Sequence, residues 1–327
     1  MAPTVKLKPY CQNIADAATI DSTQYPPEVV RKAEAASIID DPKALEGLPD
    51  VYLEEKTINR KNGSKIELTI TRPLDTENQV LPPIVFFHGG GWVVGSKLTH
   101  RRTVYELTVR ARAAVIFVNY SLSPEVRFPT ALEECLDAVV WVAKEENAKS
   151  INVDPTKLVV AGDSAGGNLS AVVCIRAKQL GLNIIKGQVL IYPVTDDNFE
   201  TDSYKQFAEN YYLTRKLMVW FFDHYIPDKK DRQSIFACPL KASIDDLRVL
   251  PRALVITAEA DVLREEGEAY ARKLIEAGND VTAVRYLGII HGIFNLATLS
   301  PTGSEILDHI VAWLQKTWKL EHHHHHH

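Results

Sequence analysis

The chain has 327 residues, of which 46% are hydrophobic and 24% charged, and its formal net charge is -5. This is a globular composition, long enough to bury a large core in one α/β domain or in two smaller ones. The mild negative charge and the lack of a basic block argue against nucleic acid as a partner, and no apolar run reaches the length of a membrane span. A small neutral molecule is easier to accommodate, and the oligomeric state, a homodimer included, stays open.

The two ends of the chain bear on its location and on which histidines can be catalytic. The N-terminus lacks the apolar segment of a signal peptide, which indicates an intracellular, cytoplasmic location. Residues 320–327 read Leu-Glu followed by six histidines, which is typical of an expression tag. These six histidines are therefore excluded from the search for catalytic groups.

The four cysteines are widely spaced and form no Cys-x-x-Cys pair, so neither a disulfide framework nor a zinc site is indicated. We expect buried, reduced thiols, and we expect no metal and no cofactor.

Hydrophobic patterning predicts an α/β sheet that begins with a hairpin. Residues 1–50 show short helical patterns only and are expected to form the N-terminal part of a helical cap. Alternation over 51–58 and 65–72, joined by Asn62-Gly63, predicts two antiparallel strands. Six mostly apolar runs predict further strands, at 84–87, 114–118, 158–161, 187–192, 253–257 and 281–286. The run at 84–87 is continuously apolar, which is typical of a strand buried on both faces. Helices are predicted between them, at 98–111, 128–147, 168–180, 265–277 and 303–318.

Strands that alternate with helices of this length predict a mostly parallel sheet of eight strands with helices on both faces. Residues 51–194 and 251–319 would form this core. Residues 195–250 interrupt the alternation with an aromatic-rich helix at 213–225, so we interpret them as an insertion that completes the cap.

The segment Gly162-Asp163-Ser164-Ala165-Gly166 joins a predicted strand to a predicted helix. Glycines two residues either side of a serine allow the tight turn that exposes a nucleophilic hydroxyl. The same pentapeptide also fits an ordinary connection with a serine at the helix N-cap. The pentapeptide alone does not separate these two interpretations.

Three other predicted strand ends carry polar groups. The segment His88-Gly89-Gly90-Gly91-Trp92 follows the strand at 84–87, Asp261 follows the strand at 253–257, and His291 lies in the loop predicted after 281–286. The carboxyl ends of parallel strands meet at one edge of a sheet, where ligands bind. Serine, aspartate and histidine in this chain order are expected for a nucleophile, an orienting acid and a base on such a sheet.

Together these motifs resemble the hormone-sensitive-lipase family of α/β-hydrolases, in its Gly-Asp-Ser-Ala-Gly branch, over residues 80 to 295. The resemblance implies an α/β-hydrolase fold with Ser164 as nucleophile, His291 as general base and Asp261 as the orienting carboxylate. It also implies an oxyanion hole, which would be formed by the amides of Gly90, Gly91 and Ala165. Loss of one such donor typically costs on the order of 3 kcal/mol of transition-state stabilisation.

Five further residues are candidates for the substrate pocket or for support of the catalytic groups, namely His88, Gly89, Trp92, Asp163 and Trp220. Asp163 is expected to be a structural hydrogen-bonding group and His88 to brace the glycine loop. For Trp220 and the two phenylalanines after it, the alternatives are lining the pocket and fixing the insertion to the sheet. His100, His224 and His309 lie in predicted helices, where surface or packing roles are the default.

The resulting hypothesis is a cofactor-free serine carboxylesterase for short- to medium-chain esters. An amidase, a lactonase or a hydrolase of one specialised metabolite would use the same residues. A non-catalytic receptor is the remaining alternative, since the plant gibberellin receptors resemble this family. Those receptors lack the triad histidine, whereas this chain retains His291.

Overall fold

The computed structural model describes residues 4–324, so residues 1–3 and the last three residues of the predicted tag lie outside the described part. Eight strands form one sheet. They are β1 (Val51–Asn59), β2 (Lys65–Pro73), β3 (Pro83–Phe87), β4 (Ala114–Asn119), β5 (Val159–Asp163), β6 (Gly187–Ile191), β7 (Arg252–Ala260) and β8 (Val281–Ile290).

The strand order across the sheet is β1-β2-β4-β3-β5-β6-β7-β8. β2 pairs antiparallel with both β1 and β4, and every other pairing is parallel. The predicted mostly parallel sheet of eight strands with a hairpin at one edge is therefore confirmed. The order places β5, which carries Ser164 at its end, beside β3 and β6 in the middle of the sheet.

Helices pack on the sheet and extend beyond it. They are α1 (Pro9–Ala17), α2 (Pro27–Ile39), α3 (Arg101–Ala111), α4 (Thr130–Ala143), α5 (Glu145–Ser150), α6 (Ala165–Gln179), α7 (Asp202–Gln206), α8 (Arg215–Tyr225), α9 (Arg264–Glu276), α10 (Ile293–Leu296) and α11 (Pro301–His324). α3 packs against α11 and α4 against α6. The central strands β3 and β5 are consequently buried along their whole length.

The single helix predicted over 128–147 is wrong, because the backbone turns to an extended conformation at Lys144 and divides it into α4 and α5. The side-chain amide of Asn147 donates to the carbonyl oxygen of Trp141 at 3.0 Å. This bond satisfies a carbonyl group at the end of α4 and so compensates for the interruption.

The loop predicted over 287–290 is also wrong, since β8 continues to Ile290. β7 extends to Ala260 and offers a partner for these residues, with a shift in register between Ala258 and Ala260. Gly288 accommodates the irregularity with a φ of 72°. His291 thus follows directly after a strand, which constrains its backbone more than a loop would.

Residues 1–50 contain α1 and α2, and residues 195–250 contain α7 and α8. None of the thirteen residues of α2 is buried. Within residues 4–324, no helix is long and apolar enough to cross a lipid bilayer.

Candidate active site

Ser164 occupies a strained turn between β5 and α6. Its φ of 59° and ψ of -115° lie outside the regions that ordinary residues adopt. A Cβ atom on Gly162 would lie 2.3 Å from the carbonyl oxygen of Gly166, and one on Gly166 would lie 1.8 Å from that of Phe87. Both glycines are therefore required by the close approach of strand, turn and helix, as the nucleophile interpretation expects.

Ser164, His291 and Asp261 form a hydrogen-bonded series. The Ser164 hydroxyl lies 2.9 Å from Nε2 of His291, and Nδ1 of the same ring lies 2.8 Å from a carboxylate oxygen of Asp261. The other Asp261 oxygen accepts the amide of Leu263 at 3.0 Å. With Nδ1–H donating to Asp261, Nε2 is free to accept the serine proton. All three catalytic candidates are buried.

Tyr192, at the end of β6, packs on the imidazole of His291. The two ring centroids are 4.2 Å apart, and the tyrosine hydroxyl accepts the amide of Phe294 at 3.3 Å. Burial raises the pKa of Tyr192 well above its ordinary value, so the phenol stays neutral. The neutral ring supports the histidine through packing.

The amides of Gly90, Gly91 and Ala165 donate to no group in the described part of the chain. Gly90 and Gly91 adopt positive φ values of 122° and 60°, which only glycine reaches without strain. The amide of Ala165 is at the first position of α6, where backbone N–H groups have no partner within the helix. Free amides of this kind can stabilise an oxyanion.

His88 orients the start of the glycine loop. Its Nδ1 lies 2.6 Å from the carbonyl oxygen of Gly89, and its ring stacks on Tyr120 with centroids 4.3 Å apart. Burial lowers the pKa of His88 to about 3, so the ring is neutral and Nδ1–H donates. Gly89 C=O and Gly90 N–H belong to one planar peptide unit, so this bond also sets the direction of the Gly90 amide.

Asp163 binds the same loop from the other side. One carboxylate oxygen accepts the amide of Gly89 at 3.1 Å, and Nε2 of His100 lies 3.1 Å from both oxygens. Burial alone would raise the pKa of Asp163, but the His100 imidazole, His88 and the Gly89 amide together lower it. The ionised carboxylate is thus held by hydrogen bonds at the base of the glycine loop.

A cavity of about 440 Å³ opens above the serine. Trp220 and Phe221 of α8 line it together with Ser164 and His291. Phe222 is fully buried beneath them, so this aromatic run both lines the cavity and fixes α8 to the core. Trp92 does not line the cavity, because its ring is buried and stacked on Tyr225 with centroids 4.3 Å apart.

Within the described residues, one cluster has the spacing of a metal site, namely Asp196, Asp197 and Cys238. The ammonium group of Lys241 lies 2.7 Å from Asp197 and already provides a positive partner. Burial raises the pKa of the Cys238 thiol far above its ordinary value, which disfavours the thiolate that a metal requires. This cluster is a poor match for a metal ion.

Several residues at the site have no signal in the sequence. Arg31 and Glu34 of α2 contact Val93 and Gly95, just after the glycine motif, and His100 contacts Asp163. The serine pentapeptide and the glycine motif identify only their own residues. Nothing in the sequence indicates which side chains, more than sixty positions from their hydrogen-bond partners, will contact them. Tyr192 is detectable only as the last residue of a predicted strand.

Comparisons with known proteins identify the family of this chain. A family described as alpha/beta hydrolase fold matches residues 84–295, which is more than half of the chain. The chain is 34% identical to the carboxylesterase NlhH of Mycobacterium tuberculosis, over 82% of this chain and 84% of that protein. It is 32% identical to an ethyl acetate hydrolase of Pseudomonas putida, over 88% and 89%. Among solved structures, a Rhizomucor miehei esterase superposes with a TM-score of 0.90 at 41% identity, covering 97% of this chain and 99% of that one. The chain belongs to the α/β-hydrolase family of hormone-sensitive-lipase-like esterases and is a hydrolase that acts on carboxylic esters.

Proposed function

We propose that the protein is a serine carboxylesterase that works through an acyl-enzyme, with Ser164 as nucleophile. The observation that carries the proposal is the hydrogen-bonded series Ser164, His291 and Asp261 below an open cavity. A hydroxyl alone is a weak nucleophile at neutral pH, and an adjacent neutral imidazole removes its proton as it attacks.

In the proposed first half-reaction, the Ser164 oxygen attacks the ester carbonyl and Nε2 of His291 takes the proton. The carbonyl π electrons move onto oxygen, and the amides of Gly90, Gly91 and Ala165 stabilise that oxyanion. When the tetrahedral intermediate collapses, the bond to the alcohol breaks and His291 returns the proton to the leaving oxygen. Asp261 stabilises the imidazolium ion without accepting its proton.

In the second half-reaction, water attacks the acyl-enzyme and His291 accepts a proton from it. The collapse of the second intermediate releases the carboxylic acid and returns the proton to Ser164. The chain's own side chains carry out each of these proton transfers.

We further propose that residues 1–50 and 195–250 form a cap over a core made of 51–194 and 251–319. The cavity lining supports this division, because Ile38 comes from α2, Trp220 from α8 and Ser164 from the core. Apolar cap side chains at an opening of this size favour short to medium acyl chains.

Replacement of Ser164 by alanine tests the proposal. Hydrolysis of p-nitrophenyl acetate, butyrate and octanoate by the wild type and by Ser164→Ala should reveal a loss of kcat by several orders of magnitude in the variant, with binding of the product acid retained. Ester cleavage by Ser164→Ala at the wild-type rate would overturn the mechanism. Cleavage of an amide or a lactone in preference to all three esters would change the substrate class and leave the nucleophile unchanged.

A further inference from the structure

Arg31, in the middle of α2, holds the segment that follows the glycine motif. Its Nε donates to the carbonyl oxygen of Val93 at 2.7 Å, and Nη2 donates to that of Ser123 at 2.8 Å. The same guanidinium forms a two-pronged ion pair with Glu125, at 2.6 and 2.8 Å. All three partners fit the planar fork of one arginine.

Val93 connects this contact to the proposed oxyanion hole. Its amide donates to the carbonyl oxygen of Gly90 at 3.1 Å, and the amide of Val94 donates to the same oxygen at 2.8 Å. Gly90 C=O and Gly91 N–H are part of one planar trans peptide unit, so they point in opposite directions. Because the amides of Val93 and Val94 hold the Gly90 carbonyl group, the Gly91 N–H group points away from these two residues.

Glu34, one turn further along α2, holds the end of the same segment. Its carboxylate accepts the amide of Gly95 at 3.2 Å. Residues three apart on a helix share a face, so Arg31 and Glu34 both meet the segment 93–95 from the same side. Burial raises the pKa of Glu34, and His100, the Gly95 amide and Arg31 only partly offset this.

The helix α2 has no buried residue, and these polar contacts attach it to the segment 93–95 while Val30 packs against the hydrophobic core. One alternative is that α2 only covers the rim of the cavity and has no effect on the reaction. The contacts of Arg31 end on backbone carbonyl groups instead. One is that of Val93, next to the glycine motif, and the other is that of Ser123, whose own amide donates to the carbonyl oxygen of Trp92 at 2.8 Å.

We propose that Arg31 is a positioning residue that aligns the Gly91 amide, so that the N-terminal helix α2 is part of the catalytic apparatus. This inference rests on the proposed function, because it assumes that Gly90 and Gly91 form the oxyanion hole. Arg31 acts through Val93 and Gly90 and does not touch the substrate. Its loss should weaken transition-state binding and leave substrate binding nearly unchanged.

The test compares Arg31→Ala and Arg31→Lys with Lys216→Ala. Lys216 forms an exposed ion pair with Asp21 at 2.7 Å and links the N-terminal segment to α8 without contacting the glycine loop. Arg31→Lys retains a positive charge for Glu125 but lacks the planar guanidinium group that reaches both carbonyl groups. It therefore keeps the test informative if Arg31→Ala does not fold. Thermal unfolding reports whether each variant is folded.

For each protein we would measure kcat and KM on p-nitrophenyl acetate, together with inhibition by a trifluoromethyl ketone and by the matching methyl ketone. A trifluoromethyl ketone adds to the serine and forms an oxyanion, whereas the methyl ketone mainly reports ground-state binding. We expect both Arg31 variants to lose about 10- to 100-fold in kcat, with a parallel loss for the trifluoromethyl ketone and little change in KM or in methyl ketone binding. Lys216→Ala should match the wild type in all four quantities.

Wild-type kcat in a folded Arg31→Lys or Arg31→Ala variant would overturn the inference. So would a rise in KM at unchanged kcat, which is the result for a helix that only covers the cavity. Ser164→Ala, assayed in parallel, distinguishes failure of the inference on Arg31 from failure of the proposed function. If Ser164→Ala is inactive and the Arg31 variants keep the wild-type kcat, only the inference on Arg31 fails; if Ser164→Ala is active, the proposed function fails.

Discussion

The amide of Gly89 donates to the carboxylate of Asp163 at 3.1 Å, so the residue next to the proposed nucleophile holds the start of the loop that carries the proposed oxyanion amides. His100 completes this arrangement with Nε2 at 3.1 Å from both Asp163 oxygens. The serine turn and the glycine loop are thereby joined by one buried carboxylate.

Replacement of Asp163 by asparagine should impair both catalysis and stability. Asparagine keeps the size of the side chain but removes the negative charge that accepts hydrogen bonds from His100 and from the Gly89 backbone amide. We expect kcat for p-nitrophenyl acetate to fall about tenfold and the free energy of unfolding in urea to fall by about 1 to 3 kcal/mol. Asp280→Asn is the control, because Asp280 is exposed and should change stability by less than about 0.5 kcal/mol. Equal behaviour of the two variants would contradict a special role for Asp163.

Alanine at Gly91 should reduce activity through a collision with Phe221 of α8. The added Cβ would lie 2.1 Å from Cγ of Phe221, and the φ of 60° is unfavourable for alanine. We expect a loss of kcat of about 100-fold, since the loop must shift to avoid the ring. Gly278→Ala is a matched control, because Gly278 also has positive φ, at 91°, but has open space around it.

The control variant should lose about 1 kcal/mol of stability and no activity. If Gly278→Ala and Gly91→Ala reduce kcat equally, the effect is explained by backbone strain in general. It would then give no support to a role for the Gly91 amide in the proposed oxyanion hole.

Alanine at Trp220 should widen the cavity and shift the chain-length preference. Trp220 lines the cavity and is only half-buried, so its removal should cost little stability. We expect the ratio of kcat/KM for p-nitrophenyl octanoate over acetate to rise about tenfold, because one or two more methylene groups are sheltered from water. Phe222→Leu, two positions along the same helix, should lower the melting temperature and leave this ratio as in the wild type. An unchanged ratio in Trp220→Ala would show that Trp220 does not contact the acyl chain of the substrate.

The buried imidazole of His88 should make stability depend on pH. Burial lowers the pKa of His88 in the folded protein to about 3, whereas an unfolded chain takes up the proton near about pH 6.5. Between these values the unfolded state binds more protons, so the free energy of unfolding should fall as the pH is lowered from about 6.5 toward 3. Urea unfolding across this range should reveal a smaller slope in His88→Asn than in the wild type. Identical slopes would contradict the assignment to His88.

Much of the fold was predictable because burial leaves a periodic trace in the sequence. Continuous apolar runs such as the one before His88 indicate strands covered on both faces, and the alternating pattern at 51–72 indicates a hairpin with one exposed side. Hydrophobic periodicity did not indicate the break at Lys144, which is accompanied by a bond from Asn147 to a carbonyl group six residues earlier. The extension of β8 depends likewise on how far its neighbour β7 continues.

The candidate site divides in the same way. Local patterning along the chain sufficed to nominate Ser164, Asp261 and His291, because a tight turn and strand ends require particular residues within a few positions of one another. The distances of 2.9 and 2.8 Å that join these residues, and the contacts of Asp163 with Gly89 and His100 and of Arg31 with Val93, follow from folding alone. The physical reason is that a hydrogen bond acts over about 3 Å in space and imposes no spacing along the chain.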